Sequence, residues 1–131
     1  MRDSCQIEVP FIAGPLTFRV DVAGESFYEA SFMELCGPRT LEGFRVPASA
    51  ILHLQDNNPY DSKAVAVTIS GHPVGHLSRE CARAFRRSVR YGPLSTFELF
   101  ECAALIVGGW DRGPGDAGNF GVKLDLALLD D

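Results

Sequence analysis

Tyr60 and Asp61 set an aromatic ring beside a carboxylate at the end of Asn57-Asn58-Pro59-Tyr60-Asp61. A ring face stacks on another flat ring, and an adjacent anion accepts a hydrogen bond, so the pair suits a ligand that offers both. Pro59 fixes its own φ and drives Asn58 out of the helical region, which makes a turn whose end projects side chains from a rigid scaffold. From the pentapeptide alone a plainer reading is the simpler one: a surface hairpin in which Asp61 makes an Asx-type turn and Tyr60 covers the core.

Other candidate chemistries are weaker. Gly113-Pro114-Gly115-Asp116-Ala117-Gly118 formally matches GxGxxG. A dinucleotide site needs a helix next and an acid about 20 residues on. A strand pattern follows instead, so that reading is rejected, and no glycine loop leads into the Lys-Ser/Thr pair of a nucleotide hydrolase. His72 and His76 are four apart with Asp61 near in sequence, but Pro73 and Gly75 prevent the helix that would bring them to one face. A metal-dependent nuclease through His72, His76 and Asp61 is the least favoured alternative. Cys5, Cys36, Cys81 and Cys102 form no CxxC pair, which argues against zinc and leaves small buried thiols as the expectation. Trp110 and Phe120, at the two ends of the glycine-rich loop, read either as core packing or as a stacking platform beside Tyr60.

These groups need elements to hold them. Phe18–Val22 alternates as a strand, Glu25–Cys36 fits a short helix with Tyr28, Phe32 and Leu35 on one face, and Phe44–Leu54 reads as a strand that Pro47 marks as an edge or a bend. Val65, Val67 and Ile69 share one face of the next strand, and Ser70-Gly71-His72-Pro73 turns it into Val74–Leu77. Ser78 is the expected N-cap of a helix from Arg79 to about Tyr91, stopped by Gly92-Pro93. In that helix Arg79, Arg83, Arg86, Arg87 and Arg90 fall within an arc of about 100°. Cys81, Ala82, Phe85 and Val89 take another side and are expected to face the core. Phe97–Val107 and Val122–Leu128 supply the last strands. The fold class expected is mainly β with two helices, an OB-like small barrel of five to six strands. Residues 1–15 read as an N-terminal segment and 16–131 as one domain.

The 131 residues carry 12 basic and 17 acidic side chains, a net charge of −5. That balance opposes bulk nucleic-acid binding. The segment from Arg79 to Arg90, however, holds five arginines and one acid, for +4, so the rest carries −9. No apolar run approaches the ~20 residues of a membrane span, and the start of the chain is no signal peptide. A cytoplasmic protein with no membrane partner is expected.

Asn57–Asp61, Ala64-Val65-Ala66-Val67 and Val74-Gly75-His76-Leu77-Ser78-Arg79-Glu80 together closely resemble the HIRAN domain, with further matches at Val22–Tyr28 and Asn119-Phe120. The resemblance runs over about residues 16 to 129. HIRAN domains occur fused to a helicase of DNA damage tolerance and as stand-alone bacterial and phage proteins, and this chain looks like the stand-alone kind. The resemblance implies a modified OB barrel that captures the 3′ end of single-stranded DNA, in repair or replication-fork processing. It gives Tyr60 the stacking role and Asp61 the free 3′-hydroxyl. Phe27 and Phe120 would be further rings, and Asn58, His76 and Arg79 polar or basic contacts to the terminal nucleotides. Ser26 replaces an arginine of the helicase-fused relative, so one phosphate clamp is missing, and Arg83, Arg86 and Arg87 would take over its backbone contacts.

The reading is therefore a non-enzymatic, cofactor-free DNA-end module, nucleoid-associated when DNA-bound, with a helicase, nuclease or other repair protein as partner. The chief alternative is a protein-interaction module that docks an acidic partner on the Arg79–Arg90 helix.

Overall fold

A computed structural model describes residues 8–127. Six antiparallel strands close into a barrel in the order β1-β4-β3-β2-β5-β6, with β1 at Val20–Ala23, β2 at Phe44–Leu54, β3 at Val65–Ile69, β4 at His72–Leu77, β5 at Leu99–Gly108 and β6 at Phe120–Leu124. The expected OB-like small barrel, mainly β with two helices, is the fold observed.

The strand faces follow the two-residue period. Val65, Val67 and Ile69 are buried on one face of β3, and Ala50 and Leu52 of β2 join them. β2 pairs with β5 along Phe44 to His53 but with β3 only from Ala50 onward. Pro47 therefore sits where β2 has a single neighbour, and the N–H it lacks is not missed on the open side. Ser70 (φ 50°) and Gly71 (φ 82°) form the left-handed two-residue turn of a tight hairpin. The turn is shorter than the sequence predicts, and His72 and Pro73 belong to β4. A register shift opposite Val67/Thr68 leaves Val74 as the extra residue of β4.

Residue 75 is where two strands nearly touch. Gly75 has φ 147°, and a Cβ built on it would collide with the carbonyl oxygen of Ala23 and stand 2.6 Å from Val22 Cγ1. Only glycine permits this approach of β4 to β1.

The first helix divides in two. Gly24 adopts a left-handed conformation (φ 83°), a 3-10 turn runs over Glu25–Tyr28, and α1 proper spans Glu29–Cys36. α2 spans Arg79–Arg90, and its Ser78 side chain accepts a hydrogen bond from Cys81 N at 3.2 Å. Ala82, Phe85 and Val89 are buried beneath it. Phe85 meets Phe100 of β5 edge-to-face at 5.1 Å, a pair contributing about 0.5–1.5 kcal/mol beyond its area burial.

The end of the chain departs from expectation. β6 begins at Phe120 and ends at Leu124, earlier than the predicted Val122–Leu128, of which Leu128 lies outside the described residues. Asp125 leaves the alternation because its buried carboxylate accepts the backbone N–H of Leu16 at 2.7 Å. Cys102 is buried, with its thiol pushed up to about 12 by burial. Cys36 and Cys81 are free thiols only half-buried, contrary to the expectation, and Cys5 lies outside the described residues. No helix of the described residues is long and apolar enough to cross a membrane.

Candidate nucleic-acid interface

The turn between β2 and β3 is built by its own polar side chains. Asn58 Oδ1 accepts the backbone N–H of Tyr60 at 2.8 Å and of Asp61 at 3.2 Å. Its Nδ2 donates to Gln55 Oε1 at 3.1 Å. The same Gln55 oxygen lies 3.1 Å from His76 Nε2, so that ring nitrogen carries the proton in this arrangement. Asn58 and His76, twinned in the sequence reading as ligand contacts, are here joined through Gln55. No motif singles out Gln55; only the fold makes it the hub of this network.

With its backbone fixed, the turn leaves Tyr60 bare. The ring is 90% exposed, so it does not cover the core as the plainer reading required. The other half of that reading holds: Asp61 Oδ1 accepts the N–H of Lys63 at 3.0 Å, an Asx-type turn. Phe27 is 86% exposed on the 3-10 turn. It sits close along the chain to Ala23, whose strand partner is His76. Asn58 and Gln55 thus link the Tyr60 backbone to His76, and His76 pairs with the strand end that leads into the Phe27 turn.

Asp61 is flanked by two guanidinium groups. Arg83 Nη2 is 3.3 Å from Oδ1 and Arg79 Nε is 3.7 Å from Oδ2. The hydrogen bond from Lys63 N, followed by that from Arg83 and the charges of Arg83 and Arg79, holds the Asp61 carboxyl below the usual carboxylate range against an opposing desolvation. The arginine contacts are long, and Oδ2 keeps room for another donor. A phosphodiester that meets Arg79 or Arg83 is attracted, whereas a group docked on the carboxylate itself meets a negative charge.

Two residues expected at the ligand are placed elsewhere. Phe120 is 3% exposed and packs between Phe32, stacked at 5.0 Å, and Phe44 at 5.5 Å, with the Arg39 guanidinium 5.6 Å from its centroid. Buried against these groups, the ring offers no face on which a base could stack. Arg86 is a clasp and not a free cation. It donates from Nε to Lys63 O at 2.7 Å, from Nη2 to Ala64 O at 2.9 Å and from Nη1 to Asp56 Oδ1 at 2.8 Å. Arg87 and Arg90 make no ion pair among the described residues.

Trp110 does not join Tyr60 either. It is held in its own loop, with Nε1 donating to Asp116 Oδ1 at 3.2 Å and Gly118 against its ring. His72, His76 and Asp61 do not converge: among the described residues no three His, Cys, Asp or Glu side chains are grouped to hold a metal.

A family model for the HIRAN domain matches residues 15–96. The chain belongs to the HIRAN domain family. HIRAN domains are in general DNA-binding modules and typically non-catalytic. The matched span of this HIRAN domain runs from before β1 through α2 and contains Phe27, Asn58, Tyr60, Asp61, His76 and Arg79. It ends before β5, so Phe120 and the glycine-rich loop lie beyond it. No curated protein and no solved structure matches the chain significantly.

Proposed function

We propose that this HIRAN domain is a non-catalytic module that holds the free 3′-hydroxyl end of single-stranded DNA. The reading rests on one observation above all. Tyr60, almost fully exposed, is locked by Asn58 beside a carboxylate that remains ionised. An exposed ring on a fixed backbone stacks on a terminal base at little entropic cost, and stacking contributes about 1–3 kcal/mol per base whatever the sequence. Asp61 beside it accepts a hydrogen bond from a sugar hydroxyl and repels a terminal phosphate. Phe27 offers a second ring, and Arg79, 74% exposed at its side chain, a phosphate contact. Phe120 has no part in it. A place in repair or fork processing, alongside a helicase or nuclease, follows from the chemistry of the ligand, since free 3′ ends are what those reactions make and consume.

Labelled oligonucleotides ending in 3′-hydroxyl or 3′-phosphate test the proposal directly. The hydroxyl end should bind about tenfold more tightly, the worth of one hydrogen bond to a charged group. Asp61→Asn should narrow that gap while leaving most of the affinity. Because the carboxyl titrates below its usual range, the gap belongs to the ionised form and is lost only as pH falls through that lowered value. Asp61 itself stays ionised from about pH 5 to pH 8, so the gap should change there only by widening as the terminal phosphate takes its second charge near pH 6. Equal binding of the two ends by the wild type rejects the proposal.

A further inference from the structure

A groove of about 310 Å³ runs along α2, outside the end-binding turn. It is lined by Lys63, Arg83, Arg86, Arg87 and Arg90, over a floor of the more buried apolar Leu54, Val89 and Phe97. Arg83 belongs to both places: it lines the groove and contacts Asp61 at 3.3 Å. The groove therefore begins where the end-binding site stops.

We propose that this groove is the track of the DNA strand on the 5′ side of the captured end, with Arg83, Arg87 and Arg90 meeting successive phosphates. The proposal rests on the end-binding reading for the direction of the strand. Arg79 and Arg83, in the first turns of α2, touch Asp61, so the terminus lies at the start of the helix and the 5′ side leads toward Arg90. Arg83 and Arg87 are separated by about 6 Å along the helix and Arg87 and Arg90 by about 4.5 Å, steps that long arginine side chains bring to the spacing of phosphates on an extended strand. Arg86, which shares their stripe in sequence, is spent on Lys63, Ala64 and Asp56 and is left out of the track. Arg87 and Arg90 have no acidic partner among the described residues, and Arg90 lies over the Tyr91 ring, its Cζ 5.9 Å from the centroid. The apolar floor suits a sugar or base face below that row of cations. An acidic peptide would match the charge, but Arg83 ties the groove to the end-binding turn, and a continuing strand uses that continuity.

The experiment is a fluorescence anisotropy series with 3′-hydroxyl oligothymidylates of about two to eight nucleotides, on the full chain. Wild-type affinity should rise with length to about five nucleotides and then level off. Arg87→Ala with Arg90→Ala should remove that gain, cut the slope of log affinity on log salt by about 1.4 for two lost contacts, and keep the preference for hydroxyl over phosphate. Arg87→Lys with Arg90→Lys should retain the salt slope, which separates charge from folding. A double alanine variant that matches wild type at every length overturns the track, as does one that loses only the capture of an acidic peptide. Wild type without end preference, but with length-dependent affinity that the alanines abolish, keeps the track and rejects the end-binding reading. No DNA binding at all rejects both.

Discussion

Tyr60 and Phe120 are both aromatic residues next to polar neighbours, yet their surroundings assign them opposite work. Tyr60 touches little of the protein, so Tyr60→Ala should leave the melting temperature unchanged and weaken single-stranded DNA about tenfold or more at every sequence. Phe120 is packed against Phe32 and Phe44. Phe120→Ala should cost about 3–5 kcal/mol of stability, as other buried Phe truncations do. Chemical denaturation and anisotropy on the same two variants give the check: a Phe120→Ala protein of normal stability but poor DNA affinity would return that ring to the ligand. The distinction was out of reach of the sequence, because what buries Phe120 comes from positions 32 and 44. Position alone, at the end of a glycine-rich loop, serves either role.

Among the elements, the β2–β3 turn and α2 act as one unit. Arg86 reaches from the helix to two carbonyl oxygens of the turn, at Lys63 and Ala64, and to Asp56. Its partners sit on either side of Tyr60 in the chain, so the clasp sets where the ring stands. Arg86→Lys keeps the charge but loses the fork, which should cost about 1–3 kcal/mol at roughly 1 kcal/mol per lost hydrogen bond. DNA affinity should fall by the same factor at every oligonucleotide length, because the lesion is in the turn. A Lys variant with wild-type melting and affinity would show the clasp to be idle. α2 itself was legible in the sequence: the Ser78 cap, the apolar positions 82, 85 and 89 and the Gly92-Pro93 stop are all local signals. So was β2, to the residue. The division of the arginine stripe into clasp, carboxylate partner and free cations was not, since the partners of Arg83 and Arg86 lie more than 20 residues upstream. The end of β6 is not local in the sequence for a similar reason. Its alternation continues past Leu124 on paper, but Asp125 turns inward to hold Leu16, a contact across the whole chain.

Across the whole molecule the charge is divided. A helix segment of +4 stands on a body of −9. An acidic body repels phosphate wherever the helix and turn do not face it, so DNA meets this protein through one face and in few contacts. For a strand that meets Arg79, Arg83, Arg87 and Arg90, about four phosphates, log affinity should fall with log salt at a slope near −3. Anisotropy across a salt series measures it, and a slope of several units steeper would mean a second basic surface. The barrel that carries this face is closed by β1, which pairs with β4 and with β6 over two residue pairs each. Gly75 lets β1 settle against β4 there, and His76 is the next residue. The seam between β1, which leads into the Phe27 turn, and β4, which carries His76, is thus set by a side chain that does not exist. Any larger residue at 75 would work as a shim, prying β1 from β4 and shifting the Phe27 turn away from His76 without touching whatever is held.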